Sequence, residues 1–364
     1  MTVYQILTTV SYGDAVSNDC LAISELLTAN GFKNAIYAEN VSKSAKARGV
    51  KRIEKLPRIR QDDIILYHLS TGTDLNVKIK SFKCRKYVIY HNTTPPDFFV
   101  KYSGRLARLC SKGLYETMEL RDTFDGGFCV SDFNRQQLIS YGYKCDLKVR
   151  PILIPFEDYE KEPEPCTLKK MGGDSLTNEH EVKNIVFVGR IAPNKKQEDL
   201  ISLLYAYRQI YKDSPVRLIL AGNPSGMEKY MSRLGIYALK LGLKDVVFGG
   251  HLSFDKILAY YRSADAFVCM SEHEGFCVPL VEAMYFKIPI IAYDSSAIAE
   301  TLGGTGILLK DKDMGKAAMC LHEVLHNKDL RAKMIAEQNE RLKDFTYENI
   351  SELFMKQFRE FTGL

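Results

Sequence analysis

Ala266-Phe267-Val268-Cys269-Met270-Ser271-Glu272-His273-Glu274-Gly275-Phe276-Cys277-Val278-Pro279-Leu280-Val281-Glu282-Ala283-Met284 reads as a buried strand, a turn and the start of a helix. Ala266–Met270 is a short apolar run of the kind that a sheet core holds. Pro279 suits a first helical turn, because its φ is preset and the N–H it lacks would have no partner there. Glu274 then falls on the turn and Glu282 about one turn inside the helix. Acids so placed can hold sugar hydroxyls from two sides. Gly275 allows a close backbone approach, and N–H groups at the helix start can meet a phosphate. Two glutamates at this spacing, taken alone, fit a solvated helix face with an ordinary capping loop more readily. Their setting in the rest of the chain decides between the two.

Outward from this stretch, apolar strand patterns alternate with helical ones. In the first half, strands are expected at Val3–Val10, Ala35–Ala38, Asp63–His68, Lys86–His91, Gly127–Ser131 and Leu147–Ile154. Glu157 to Asp174 is rich in Pro, Glu, Lys and Gly and reads as a linker. A second series follows, with strands at Asn184–Gly189, Val216–Ala221, Val246–Phe248, Ala266–Met270 and Pro289–Ala292. Helical patterns separate them, and a final amphipathic helix carries Ile350, Leu353, Phe354 and Phe358. Such alternation predicts an α/β protein of two parallel-sheet units, residues 1–165 and 166–345, with 346–364 as the last helix.

A chain of 364 residues accommodates two such domains. Its 46% apolar and 26% charged residues are those of a globular protein, and no apolar run approaches a membrane span. Thr2-Val3-Tyr4-Gln5-Ile6-Leu7 reads as a first strand and not as a signal peptide, so a cytoplasmic location is expected. Nine cysteines, with no C-x-x-C pair and no His-Cys metal spacing, read as small core residues; neither a zinc site nor a disulfide framework is expected. The first strand leads to Tyr12-Gly13-Asp14 and not to G-x-G-x-x-G, and no G-x-x-x-x-G-K-[ST] occurs, which argues against dinucleotide and P-loop chemistry.

Charge is unevenly placed. Net charge is +5, but Lys33 to Lys112 holds 18 Lys or Arg against 6 Asp or Glu. A solvated basic face, an anionic membrane surface and nucleic acid all suit such a region. The solvated face is the ordinary reading, the membrane surface comes next, and no nucleic-acid-reading motif accompanies the charge.

Glu274, Gly275-Phe276-Cys277, Val278, Pro279, Glu282-Ala283 and Lys287-Ile288-Pro289-Ile290-Ile291 together resemble the donor-site signature of retaining nucleotide-sugar glycosyltransferases of family 4, the glycosyl transferases group 1. Cys277 and Lys287 stand where that signature has glycine. Gly189-Arg190-Ile191 followed by Lys195 is similar to the family's Gly-Arg-Leu, three residues, Lys; Lys196 again replaces a glycine. The resemblance implies the GT-B fold: two Rossmann-like domains facing across a cleft, with the last helix crossing back to the first. It implies that Arg190 and Lys195 bind the donor pyrophosphate. Glu274, with the backbone of Gly275 and Phe276, would meet the donor sugar, and Glu282 the ribose. Gly13 would lie by a phosphate, and His91 would position the anomeric centre. Asp14, Asp19 and His68 are candidates for the acceptor side, and the loops Gly222-Asn223-Pro224 and Gly250-His251-Leu252 for the base. Cys277 would narrow the space beside the donor sugar.

The resemblance further implies transfer from a UDP- or GDP-sugar to a glycan or lipid-linked saccharide with retention, as in surface polysaccharide assembly. No metal and no other cofactor is expected, since no Asp-x-Asp precedes a donor pocket. Peripheral attachment to the inner face of the membrane would follow from the basic region. A GT-B nucleotide-sugar epimerase and a non-catalytic nucleotide-sugar-binding protein are the alternatives.

Overall fold

The computed structural model describes residues 1–364 except Tyr12 and His251; the latter belongs to a loop named above for the base and lies outside the described residues. The chain divides into two compact units, one of residues 1–100, 104–156 and 345–364, the other of 101–103 and 157–344. The main break thus falls nine residues before the boundary read from composition. Glu157–Asp174 belongs to the second unit, and within it Pro165–Lys170 is helical. Pro165 opens that helix and the Glu164 carboxylate accepts from Thr167 N–H, so two start signals outweigh the polar composition.

The first unit holds seven parallel strands: β1 Val3–Val10, β2 Asn34–Val41, β3 Lys51–Arg52, β4 Ile64–Leu69, β5 Arg85–Tyr90, β6 Gly126–Cys129 and β7 Asp146–Val149. Their order is β3-β2-β1-β4-β5-β6-β7. Strand β7 is shorter than expected because Pro151 cannot donate to a ladder. Continuous apolar runs such as Ile64–Leu66 are buried on both faces, as a parallel sheet requires. One face packs on helix Ala15–Ala29 and on the last helix, Tyr347–Thr362, whose Phe354 and Phe358 join Val3, Leu27, Ile64 and Phe128 in one core. The Tyr87 hydroxyl donates to Phe361 O at 2.7 Å and Arg85 to Thr362 O at 2.6 Å, tying down that helix's end. The last helix therefore crosses back to the first unit.

The second unit is a six-stranded parallel sheet: β8 Lys183–Val188, β9 Val216–Ala221, β10 Val246–Gly250, β11 Ala266–Cys269, β12 Ile290–Tyr293 and β13 Ile307–Leu309. Its order is β10-β9-β8-β11-β12-β13. From β8 the chain builds outward one way and from β11 the other. The carboxyl ends of β8 and β11 thus flank a topological switch point, where open α/β sheets present a crevice to ligands.

Candidate active site

The loops after β8 and β11 carry the two sequence motifs and lie side by side. Glu272 N–H donates to Asn194 O at 2.8 Å, and Asn194 Nδ2 donates to His273 O at 3.1 Å. The neighbouring loop after β9 is pressed against the first of them. A Cβ on Gly222 would come within 1.8 Å of Gly189 O, so no side chain fits there. Gly222, proposed for the base loop, is thereby accounted for by this close approach.

Within this frame Lys195 and Glu274 meet. Lys195 Nζ lies 2.6 Å from Glu274 Oε1 and 2.5 Å from Oε2. Glu274 is 7% exposed, while the lysine side chain keeps 21% of its surface open. Burial alone would pull the lysine pKa down, but the adjacent carboxylate more than offsets it and holds the ammonium above its usual range. Two charges are thus kept close to the surface of the site, each neutralised by the other. Glu274 N–H donates to Ser296 Oγ at 2.8 Å, which fixes the acid's backbone.

Glu282 sits in helix Val278–Tyr285, as its spacing predicts. Its carboxylate already accepts two phenolic hydrogen bonds, from Tyr159 at 2.7 Å to Oε1 and from Tyr261 at 2.5 Å to Oε2. Burial pushes its pKa up, and the two hydroxyls pull it back. Each of its oxygens thus already has a phenolic partner. Neither tyrosine was legible as a partner from the sequence, because the three residues belong to separate elements.

Five non-glycine residues among those described have left-handed φ, and three are Lys196 (φ 52), Cys277 (φ 76) and Lys287 (φ 55). These are the positions at which the sequence departs from glycine in the resembled motifs. Their backbone geometry is the one that glycine adopts without a Cβ penalty. Cys277 caps helix Val278–Tyr285 and is buried, and its thiol faces that of Cys269. The two sulfurs lie within 4.8 Å of each other, and the Cys269 thiol donates to Ser271 Oγ at 3.3 Å.

Arg190 is exposed on the loop after β8; its guanidinium lies 3.4 Å from Ser225 O, and its own carbonyl accepts from Gln197 Nε2 at 3.0 Å. It shares a loop with Lys195 and does not join the Lys195–Glu274 pair. Gly275 is half-buried at the turn and Phe276 buried, its carbonyl accepting from Thr301 Oγ1. A cavity of about 330 Å³ lies elsewhere in this unit, beside Glu160, Arg262 and Tyr285, and neither Lys195 nor Glu274 lines it.

In the first unit, the carboxyl ends of β4 and β5 bring His68 and His91 together. His68 Nδ1 lies 2.9 Å from His91 Nε2, and His68 Nε2 lies 2.9 Å from Gln5 Oε1. His68 is 1% exposed with both ring nitrogens engaged, so it supports His91 and does not face an acceptor. Burial lowers the His91 pKa to about 4 and the His68 pKa well below its ordinary value. Both rings are neutral at pH 7.

Asp19 is also withdrawn from the acceptor role. It is fully buried and accepts from Arg150 Nη1 at 2.7 Å, Arg150 Nη2 at 2.6 Å and Leu153 N–H at 2.9 Å. Desolvation opposes its charge, but Arg150 overcomes it and the pKa falls. Asp14 caps helix Ala15–Ala29, accepting from Ser17 N–H at 3.0 Å and from the hydroxyls of Ser11 and Ser17. This is the capping role open to any acid at a helix start. Gly13 is exposed at φ +92 with nothing within 4 Å of where a Cβ would be. Among the described residues, two groups of side chains have the spacing of metal ligands, Asp19 with His68 and His91, and Cys269 with Glu274 and Cys277. A cation already holds the carboxylate in each, Arg150 fully buried on Asp19 and the partly open Lys195 on Glu274.

Two parallel-sheet Rossmann-like domains, with the last helix returned to the first, define the GT-B fold. The Anabaena protein HepE, solved in complex with UDP-glucose, matches with a TM-score of 0.75 over 99% of this chain and 100% of its own; at 16% identity the likeness is one of fold. Residues 174–341, which include Arg190, Lys195, Glu274 and Glu282, match the family model described as Glycosyl transferases group 1. The chain is 24% identical to O-antigen chain mannosyltransferase B of Escherichia coli over 246 residues, 66% of this chain and 61% of that protein. It is 25% identical to an uncharacterized glycosyltransferase of Methanocaldococcus jannaschii over 325 residues, 88% of this chain and 83% of that one.

Proposed function

We propose that this protein transfers a sugar from a nucleoside diphosphate sugar to a glycan or lipid-linked saccharide acceptor, with retention at the anomeric carbon. The bidentate Lys195–Glu274 pair at the switch point of the second sheet carries this reading. Before a donor arrives, each group neutralises the other. A sugar diphosphate offers each a further partner: anionic oxygens for Lys195 and hydroxyl donors for Glu274. Arg190, exposed on the same loop, is the second cation for the diphosphate. As the bond to the sugar breaks, negative charge grows on the leaving diphosphate and positive charge on the anomeric carbon. Fixed cations aimed at that diphosphate stabilise the transition state without reorganising. No metal is assigned to this step.

Similarity to an O-antigen mannosyltransferase favours surface polysaccharide assembly, whereas the fold's match to a UDP-glucose complex leaves UDP-sugars in play. Thermal shifts with UDP, GDP and their sugars separate the two donor classes. Product analysis by NMR then reads the anomeric configuration; inversion would overturn retention. Turnover of donor without any acceptor would replace transferase with epimerase. Binding without turnover, given glycan and lipid-linked acceptors, would leave a binding protein.

Attachment to an anionic membrane is supported by helix Gly104–Glu119, which exposes Arg105, Arg108 and Lys112 together with Leu109, Tyr115 and Met118. Basic and apolar groups on one helix suit a headgroup surface. No helix among the described residues is long and apolar enough to cross a membrane. Failure of anionic liposomes to retain the protein at physiological salt would remove this part of the proposal.

A further inference from the structure

We propose that Cys269, Cys277 and Glu274 form a three-ligand site for a thiophilic divalent cation such as zinc, competing with Lys195 for Glu274. One ligand atom from each residue lies within 4.8 Å of the other two, and all three residues are buried. Two thiolates on one tetrahedral zinc, at about 2.3 Å each, stand ~3.8 Å apart, so small side-chain shifts complete the set. The composition Cys2Glu, with a fourth position left for water, suits a borderline-soft d10 ion and not magnesium or calcium.

The backbone supplies the arrangement. Cys269 ends β11, and the turn from Ser271 brings the chain back so that the sulfur of Cys277, held at φ 76, lies within 4.8 Å of the Cys269 sulfur. Glu274 lies at the middle of that turn, its main chain pinned by Ser296. Metal uptake releases two thiol protons to solvent and replaces the Lys195 ammonium at Glu274 with the cation. The cation is therefore not a participant in transfer. It is an occupant that takes away one of the groups proposed to hold the donor.

The test uses the untagged 364-residue chain, reduced with a phosphine, and Co²⁺ as a spectroscopic probe with Zn²⁺ in competition. One Co²⁺ per chain with a thiolate-to-cobalt charge-transfer band, displaced by Zn²⁺, is expected. Cys269→Ser and Cys277→Gly should each weaken binding by more than the ~100-fold that loss of an outer partner costs. Glycine is chosen at 277 because it suits the positive φ there, and circular dichroism reports whether each variant is folded. Lys195→Met, which removes the competing cation, should tighten binding about tenfold, or ~1.4 kcal/mol.

Binding without a thiolate band, or a band that survives in the double cysteine variant, would overturn the site. The former would place the metal at groups without a thiolate, for example His322 and His326, and the latter at another thiol, for example exposed Cys166. Unchanged affinity in Lys195→Met would overturn the competition. The readout is metal binding, so failure of the proposed transfer reaction and failure of this site are separately visible.

Discussion

Lys195 and Glu274, 79 positions apart in the chain, form one bidentate ion pair, Nζ standing 2.6 and 2.5 Å from the two carboxylate oxygens. Loss of either partner removes a group proposed to meet the donor and leaves the other buried without its counter-charge. Glu274→Ala and Lys195→Ala should each reduce transfer ~10²–10³-fold, the usual cost of one stabilising group at a transition state. Steady-state rates with the donor identified by thermal shift decide it. Near-normal activity in either variant would take that residue out of the site.

Tyr261 donates to Glu282 inside the second unit, where burial makes a charged acceptor expensive. Tyr261→Phe should destabilise the fold by about 1.5–3 kcal/mol, the range for a hydrogen bond to a charged group. Urea unfolding of the purified variant measures this. A change below about half a kcal/mol would show that Tyr159 alone satisfies the acid.

Lys287 is exposed and held at φ 55 in the turn before β12. Lys287→Gly removes the Cβ penalty of that conformation, at the cost of greater freedom in the unfolded chain. A gain of about 0.5–1 kcal/mol is expected, seen as a higher melting temperature. A fall in stability would mean that the lysine stem makes packing contacts worth more than the strain.

Burial holds the pKa of His91 and His273 down to about 4, below the unfolded value near 6.5. The sign follows directly. As pH drops through ~6.5 the unfolded chain takes up protons that the folded chain refuses, so stability falls with falling pH until the folded pKa near 4 is reached. Each such histidine contributes about 1.4 kcal/mol per pH unit over that window. Urea midpoints measured between pH 7 and 5 should show the slope, and His91→Gln should lower it by one proton's worth. An unaltered slope would mean that His91 is charged in the folded protein.

Arg150 and Asp19 are both fully buried and paired through two hydrogen bonds. Arg150→Met leaves the carboxylate with Leu153 N–H but without a counter-charge, and should cost about 3–5 kcal/mol. Chemical denaturation checks the magnitude, and a loss under 1 kcal/mol would show that the site opens to water.

Strand and helix order, and the strand-turn-helix around Glu274, were legible in the chain because each depends on residues close in sequence. Apolar runs mark buried parallel strands, and Pro279 opens its helix wherever the rest of the protein lies. The glycine-like positions were visible as departures at Lys196, Cys277 and Lys287, but the common reason was not. It is a backbone angle, which residue names do not display. Partnership was decided by the tertiary structure alone. Whether Asp19 faces solvent or Arg150, and whether Glu282 stands bare or between Tyr159 and Tyr261, depend on how the strands are ordered in the sheet. Charge and hydrogen bonding act over a few ångströms of space, and only folding brings residues from distant parts of the chain within that reach.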